Sequence, residues 1–405
     1  MAKQPRTNNP SAVLRPLWDK YSRHFLERSF NILIPIAAIM AAFVISSILI
    51  IVQGINPFEA YGALFSGAFG SPNALVTTVV RLTPLVFTGL AVTYGYRSGF
   101  FNVGAEGQLY AGAMAATWVG ITLTDLSGWI LVPLAMLAAA AAGALLALVP
   151  GYLKATRGFN EVLTTLLLNY IALQLFEWLI RVDHLTDGSG ALLNWIGLKD
   201  PTQPFPKSAE IVEASQFPSV ARVLLSMGRE VPTPALKRLT LAAVFAIVAA
   251  IVVYIILFKT TTGFRARAVG VSPRASKFMG IDVPQTIIVT ALISGALAGL
   301  AGAVEILGTQ HRLIQNFLVS AGFDGIPVAL IGQLHPLGVL LSALFFGALR
   351  AGANKMQIIS GAPISVIYVI QALAILFAIA GTTVTVKPRV DEDEDQGEEV
   401  ENDEV

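Results

Sequence analysis

The chain has no cysteine among its 405 residues, which excludes a disulfide, a thiolate metal site and a cysteine nucleophile. Its four histidines, His24, His184, His311 and His335, are scattered without metal-ligand spacing. No G-x-x-x-x-G-K-[ST] run is present to cradle phosphates, and no H-E-x-x-H. Nothing here supports nucleophilic or metal catalysis, so neither an enzyme activity nor a cofactor is expected. Charge is also scarce. Only 13% of residues are charged, against about 25% in a soluble globular chain. So few charges cannot coat a water-facing surface of this size. With 55% apolar residues and a mean hydropathy of +0.68, the bilayer must be the solvent for much of the chain.

The near-zero net charge hides an asymmetry. Residues 391–405 hold ten of the 26 acidic residues, leaving 27 basic against 16 acidic elsewhere, or +11. An apolar body with basic loops suits a membrane protein under the positive-inside rule. Lys3, Arg6, Arg15, Lys20, Arg23 and Arg28 precede an apolar run of about twenty residues, too long for the core of a secretory signal and read as a retained first span. The expected organisation is a cytoplasmic basic segment over 1–30, a transmembrane domain over 31–381 and an acidic, disordered tail over 382–405, whose scattered valines are too few to form a core.

Apolar runs long enough to cross lie near 32–52, 75–96, 107–124, 129–149, 161–180, 236–258, 285–307, 336–353 and 363–381, with a shorter one at 323–333. Open sheet edges cannot be satisfied in lipid. The predicted fold is therefore all-α: a polytopic membrane helical bundle of about nine or ten helical segments, some of them interrupted. Ser294, Ala298 and Gly302 recur every four residues beside a second row, Gly295 and Gly299, as expected of closely packed helices. Lys154 and Arg157, and the five basic residues of 259–282, place both loops in the cytoplasm with the N-terminus. Gly263, Gly270, Pro273 and Gly280 are expected to shape turns in that second loop. The C-terminus falls in the cytoplasm if 323–333 counts as a crossing, and outside if it only dips in. Residues 181–235, with six prolines and a short amphipathic stretch at 219–228, form a long external connection.

Polar groups inside a membrane are costly and mark candidate sites. Three segments stand out. The first, 97–108, interrupts two apolar runs with three glycines and with Asn102, Glu106 and Gln108. Those groups either hydrogen-bond a polar solute or lock neighbouring helices, with Glu106 holding backbone N–H groups or a helix N-terminus. The second, 158–170, has Asn160 and Glu161 at a helix start and Asn169 deeper on the face shared with Thr165. The third, 322–338, breaks the pattern again and holds Asp324, Gln333 and His335, the last read as a loop residue. By analogy with secondary transporters, paired interrupted segments point to a central site. Glu305 and His311 are either pathway groups or membrane-edge anchors.

These residues carry a resemblance. Phe100-Phe101-Asn102-Val103-Gly104-Ala105-Glu106-Gly107-Gln108 resembles the F-N-x-G-x-E-G-Q signature of bacterial ABC importer permeases of the branched-chain amino acid and ribose superfamily. Gly158-Phe159-Asn160-Glu161-Val162 with Leu168-Asn169-Tyr170 is similar to the nucleoside-type branch. So are Arg267-Ala268-Val269-Gly270 with Pro273, Ala275 and Gly280, and Gly322-Phe323-Asp324-Gly325-Ile326 with His335-Pro336. The match spans roughly 30–380, with Ser276 where alanine is more usual. It implies a bacterial plasma-membrane permease importing nucleosides by alternating access. A separate ATPase, a second homologous permease and an extracytoplasmic substrate-binding lipoprotein would be its partners, with membrane lipids around it and no nucleic acid. The ATPase would dock on 259–282 through Arg265, Arg267, Gly270, Arg274, Lys277 and Gly280. Its closure would tilt helices around 97–108 and 323–333. The implied pathway comprises Phe101, Asn102, Glu106, Gln108, Asn169, Phe323 and Asp324, with the aromatics stacking on a base and the asparagines contacting ribose. Ribose-like sugars and amino acids are the alternative solutes. An ion-coupled secondary transporter is the rival mechanism, and a membrane enzyme lacks the convergent catalytic groups it would need.

Overall fold

The computed structural model describes residues 36–184, 192–230, 234–318 and 320–383. The expected N-terminal segment and, beyond Thr383, the acidic tail lie outside them. The described residues form α-helices with only isolated β-bridges. In chain order the helices are α1 (Ile36–Val52), α2 (Pro57–Phe69), α3 (Pro72–Arg97), α4 (Ala105–Thr122), α5 (Gly128–Arg157), α6 (Glu161–Leu179), α7 (Leu192–Ile196), α8 (Val220–Ser226), α9 (Ala242–Lys259), α10 (Thr261–Val271), α11 (Pro273–Phe278), α12 (Val283–Glu305), α13 (Ala321–Ile331), α14 (Pro336–Ser360) and α15 (Ser365–Thr383). Six are long and apolar enough to cross a membrane: α3, α5, α6, α9, α12 with its continuation to Gln310, and α14. Helices α1, α13 and α15 are apolar but shorter.

Local chemistry starts and stops these helices. Ser71 and Asn160 cap α3 and α6, accepting from Ala74 N and from Val162 N. Pro57, Pro72, Pro273 and Pro336 sit in first turns, where a missing N–H costs nothing. Gly158 ends α5 in the left-handed conformation. Helix α2 is not among the sequence-expected segments. At 13 residues, with Glu59 and two glycines, it is too short and interrupted to read as a span, although Asn56 and Pro57 form a recognisable start.

Helix α12 is the axis of the bundle, packed against α5, α4 and α3. Both its small-residue rows meet neighbouring backbone. A Cβ on Gly299 would lie 2.2 Å from the Ala139 carbonyl oxygen of α5. One on Gly302, in the other row, would lie 2.1 Å from the Leu109 carbonyl oxygen of α4. Backbone contact of this kind is how helices associate where no hydrophobic effect drives them together. Gly299→Leu is expected to cost well above the roughly 1–3 kcal/mol of ordinary overpacking, because the obstruction is backbone. A clear fall in the midpoint of thermal aggregation in detergent checks it, and an unchanged midpoint would contradict this packing.

The break after α12 resolves the ambiguity of 323–333. A π-turn at Ile306–Gln310 leads into 311–320. Ile211 N donates to His311 O and Ser208 N to Leu313 O, both at 2.9 Å, so the chain here lies against the long 181–235 connection. The described part of that connection packs on this end of the bundle, with Leu198, Ile211 and Phe217 buried. At the other end Arg97, the last residue of α3, contacts Leu334. Residues 311–335 therefore run from one end to the other. Helix α13, 11 residues and about 16 Å long, covers only the half nearer Arg97. Helix α14 returns, and α15 runs back alongside α13, so Thr383 lies toward the Arg97 end.

The 259–282 segment is helical rather than a loop of turns. Gly263 and Gly270 lie inside α10, where they permit close packing, and Pro273 opens α11. Only Gly280, at φ +79°, occupies a turn that favours glycine.

Candidate functional site

The three segments singled out by their polarity converge. Between α3 and α4 the chain leaves the helix at Ser98 and re-enters it at Ala105. The Asn102 side chain holds this break. Its amide nitrogen donates to Gln108 Oε1 at 2.7 Å and Ser294 Oγ at 2.9 Å. Its oxygen accepts from Gly104 N at 2.9 Å and Gln108 Nε2 at 3.0 Å. Ser294 Oγ donates onward to Ala91 O at 2.7 Å. The network ties α3, the break, α4 and α12 together, and its members are buried. Such networks rigidify when every group is satisfied.

Asn169, 2% exposed on α6, spans the same break from the other side. Its oxygen accepts from Gly107 N at 2.8 Å and its nitrogen donates to Val103 O at 3.0 Å. Glu161, at the start of α6, pairs with Lys154 at 2.5 Å and accepts from Phe101 N at 3.4 Å. Lys154 also donates to Gly99 O.

Glu106 joins the two interrupted segments. It is 4% exposed, and its carboxyl oxygens accept from Ser320 N at 3.1 Å, Gly322 N at 2.6 Å and Phe323 N at 3.3 Å. These are N–H groups at the start of α13, where orphan donors and the helix dipole favour a carboxylate. The backbones touch as well: a Cβ on Gly322 would lie 2.3 Å from Glu106 Cα. Asp324, in the same first turn of α13, pairs with Arg350 of α14.

Of the seven pathway candidates, Asn102, Gln108, Asn169 and Glu106 are thus buried with their hydrogen bonds made inside the protein. Phe101, Phe323 and Asp324 keep partial exposure, and Phe101 meets Tyr96 edge to face with centroids 5.3 Å apart. Glu305 is buried and accepts from Gln310 Nε2 at 3.0 Å. His311, at φ +57°, ends the π-turn. His335 caps α14, and its ring stacks on Phe258. Burial and, after it, the neighbouring Arg97 guanidinium hold its imidazole below the usual pKa. Polarity marked most of these positions. It did not mark Ser294, Arg350 or Arg97 as partners, because each pairs with a residue far away in sequence, nor Lys154, whose charge was read as a sign of topology although Glu161 lies on the next helix.

On the 259–282 segment, Arg265, Arg274 and Lys277 are exposed, and so are Val271 at 88% and Phe278 at 94%. Gly270 is elsewhere: a Cβ there would lie 2.2 Å from Arg97 O. Arg267 turns inward, its guanidinium 5.2 Å from the Phe258 centroid.

The family described as the permease component of branched-chain amino acid transport systems matches residues 74–380. The chain belongs to this family. The permease is 36% identical to the guanosine ABC transporter permease NupP of Bacillus subtilis over 89% of this chain and 96% of that one. It is 35% identical to a glucose ABC transporter permease of Haloferax volcanii, over 85% and 86% of the two chains. It is 32% identical to the nucleoside ABC transporter permease NupB of Lactococcus lactis, over 86% and 91%. No solved structure matches it. The permease is a multi-pass, non-catalytic membrane subunit of an ABC importer and works with an ATPase.

Proposed function

We propose that this permease imports nucleosides, with the Arg97 end of the bundle in the cytoplasm and α10–α11 as the docking face for its ATPase. Similarity over nearly the whole chain to guanosine and nucleoside permeases from two bacteria carries the choice of solute. Each of those organisms also has a second permease named for the same solute, 27% and 26% identical to this chain, which supports a pathway built with a second, homologous permease. An extracytoplasmic binding protein would deliver solute at the end covered by residues 197–217. Phe101 and Phe323, partly exposed beside the α3–α4 break, are the aromatic surfaces offered to a base, and Asp324 with Arg350 the charged pair beside them.

The docking face rests on Val271 and Phe278. Large apolar side chains this exposed, set among Arg265, Arg274 and Lys277, suit a protein surface better than water. A second solute reading has its own support in the 35% identity to a glucose permease. Uptake of labelled guanosine by cells expressing the permease with its partners separates the two. Unlabelled nucleosides are expected to compete and glucose in large excess is not. Glucose competing as well as guanosine would make this a sugar permease.

A further inference from the structure

Helix α13 has unusual ends. Ser320 precedes it at φ +61°, and Gln333 and Leu334 follow it at +54° and +53°. Left-handed conformation is uncommon outside glycine and a genuine outlier for a bulky residue such as leucine. Strained backbone of this sort persists only where the surroundings hold it, and it gathers at switch regions. Both ends of α13 are held in this way. At the N-terminus the Glu106 carboxyl collects three N–H groups. At the C-terminus Arg97 Nε donates to Leu334 O at 2.5 Å and Nη2 to Gln333 O at 3.4 Å, so one guanidinium grips the two strained carbonyls.

Arg97 is also in contact with α10. Its guanidinium lies 5.3 Å from the centroid of Phe258, next to the last residue of α9, and Arg267 of α10 lies 5.2 Å from the same ring. The His335 ring, just beyond the strained pair, stacks on Phe258 at 5.5 Å. Arg267 Nε is buried with no hydrogen-bond partner, so the ring contact is its main local tie. Main chain meets main chain too, where Gly270 of α10 packs on Arg97 O and on Gly99. A displacement of α10 therefore reaches Arg97 through side chain and backbone together, and reaches α13 through the arginine fork.

We infer that Arg97 is a positioning residue that transmits movement of the ATPase-docking helix α10 to the half-helix α13. The route is the Arg267–Phe258–Arg97 contact and the two strained carbonyls, rather than the continuous chain through α11 and α12. This rests on the proposed docking of the ATPase at α10–α11. Helix α13 suits the role of moving part. It is short, its ends are strained, and both grips are hydrogen bonds, which a shift of the helix lengthens and breaks.

The test uses the complete transporter, permeases with ATPase and binding protein, in proteoliposomes. Uptake per ATP hydrolysed is compared for wild type, Arg97→Lys and Arg97→Ala. Lysine keeps the charge but lacks the planar fork that bonds two carbonyls at once. Arg97→Lys is expected to keep its ATPase bound and hydrolysing while uptake per ATP falls about tenfold, within the range found for residues that carry coupling between sites. Should Arg97→Ala fail to assemble, Arg97→Lys alone carries the test. Unchanged uptake per ATP in Arg97→Lys overturns the relay, and so does loss of the ATPase from it, which would make Arg97 part of the docking surface. Reversing Arg274 and Lys277 to glutamate reports separately on the docking face. If the ATPase stays bound to that variant, the docking proposal fails, whatever Arg97 does.

Discussion

Joining α3 to α13 by Gly89→Cys with Val328→Cys is expected to abolish uptake in oxidising buffer and to restore it on adding a reductant. A Cβ at position 89 would lie 3.4 Å from Val328 Cβ, close to the roughly 3.5–4.5 Å that a disulfide spans. Val328→Cys also removes the nearer of the two methyls that would crowd the new side chain, 2.7 Å away, leaving the end of the Val339 side chain at 2.9 Å to give way. The native chain has no cysteine, so the introduced pair is the only thiol pair in this subunit. The link crosses the middle of α13 and leaves both its grips in place, so it blocks movement without altering what holds the resting position. The reversible arm removes the usual ambiguity of a dead variant, since a misfolded protein does not recover on reduction. Full uptake by the oxidised, cross-linked protein would show that α13 does not move against α3 during transport.

Glu106→Ala is expected to reduce uptake to background, with a fall in the amount of protein in the membrane. It strands three N–H groups at the start of α13, each costing about 1–3 kcal/mol when buried without a partner. It also leaves a void where α4 and α13 touch. Glu106→Gln separates charge from shape. The two carboxyl oxygens of Glu106 serve different donors, Oε1 taking Ser320 N and Oε2 taking Gly322 N and Phe323 N. A glutamine offers one oxygen and turns an NH2 toward the remaining N–H, so it satisfies one side only. Uptake between that of wild type and that of Glu106→Ala is expected, normalised to membrane protein by immunoblot. Wild-type uptake and abundance in Glu106→Ala would mean that α13 is not held by this carboxyl.

Much of the architecture was legible from residue chemistry near each element. Apolar runs marked the spans because lipid demands about twenty such residues in a row. The cap Asn160 marked a start because the donors it satisfies are two or three residues away, and Ser71, which does the same for α3, was legible by the same rule but not read. Helix α2 and helix α10 were harder. Helix α2 is too short to read as a span, and the glycines of α10 resemble turn formers until the helix they pack against is known. Gly270 is the example: its reason for being glycine is the Arg97 carbonyl, 173 positions earlier in the chain.

The candidate site divides in the same way. By itself the sequence determined that this is a helical membrane protein, that its helices break near 98–104 and in the stretch before α14, and that Asn102, Glu106 and Asn169 are polar where lipid-facing residues would not be. Each is a local property, set by the cost of placing a polar or helix-breaking residue in hydrocarbon. The tertiary structure alone decided what those residues hold. Glu106 meets the start of α13 more than two hundred residues later, Asn169 meets the break of another helix, and Arg97 grips Leu334. The cost of burying a polar group reveals that a partner must exist, whereas its identity depends on how the helices cross, which the packing of glycine against backbone determines only once the bundle has formed.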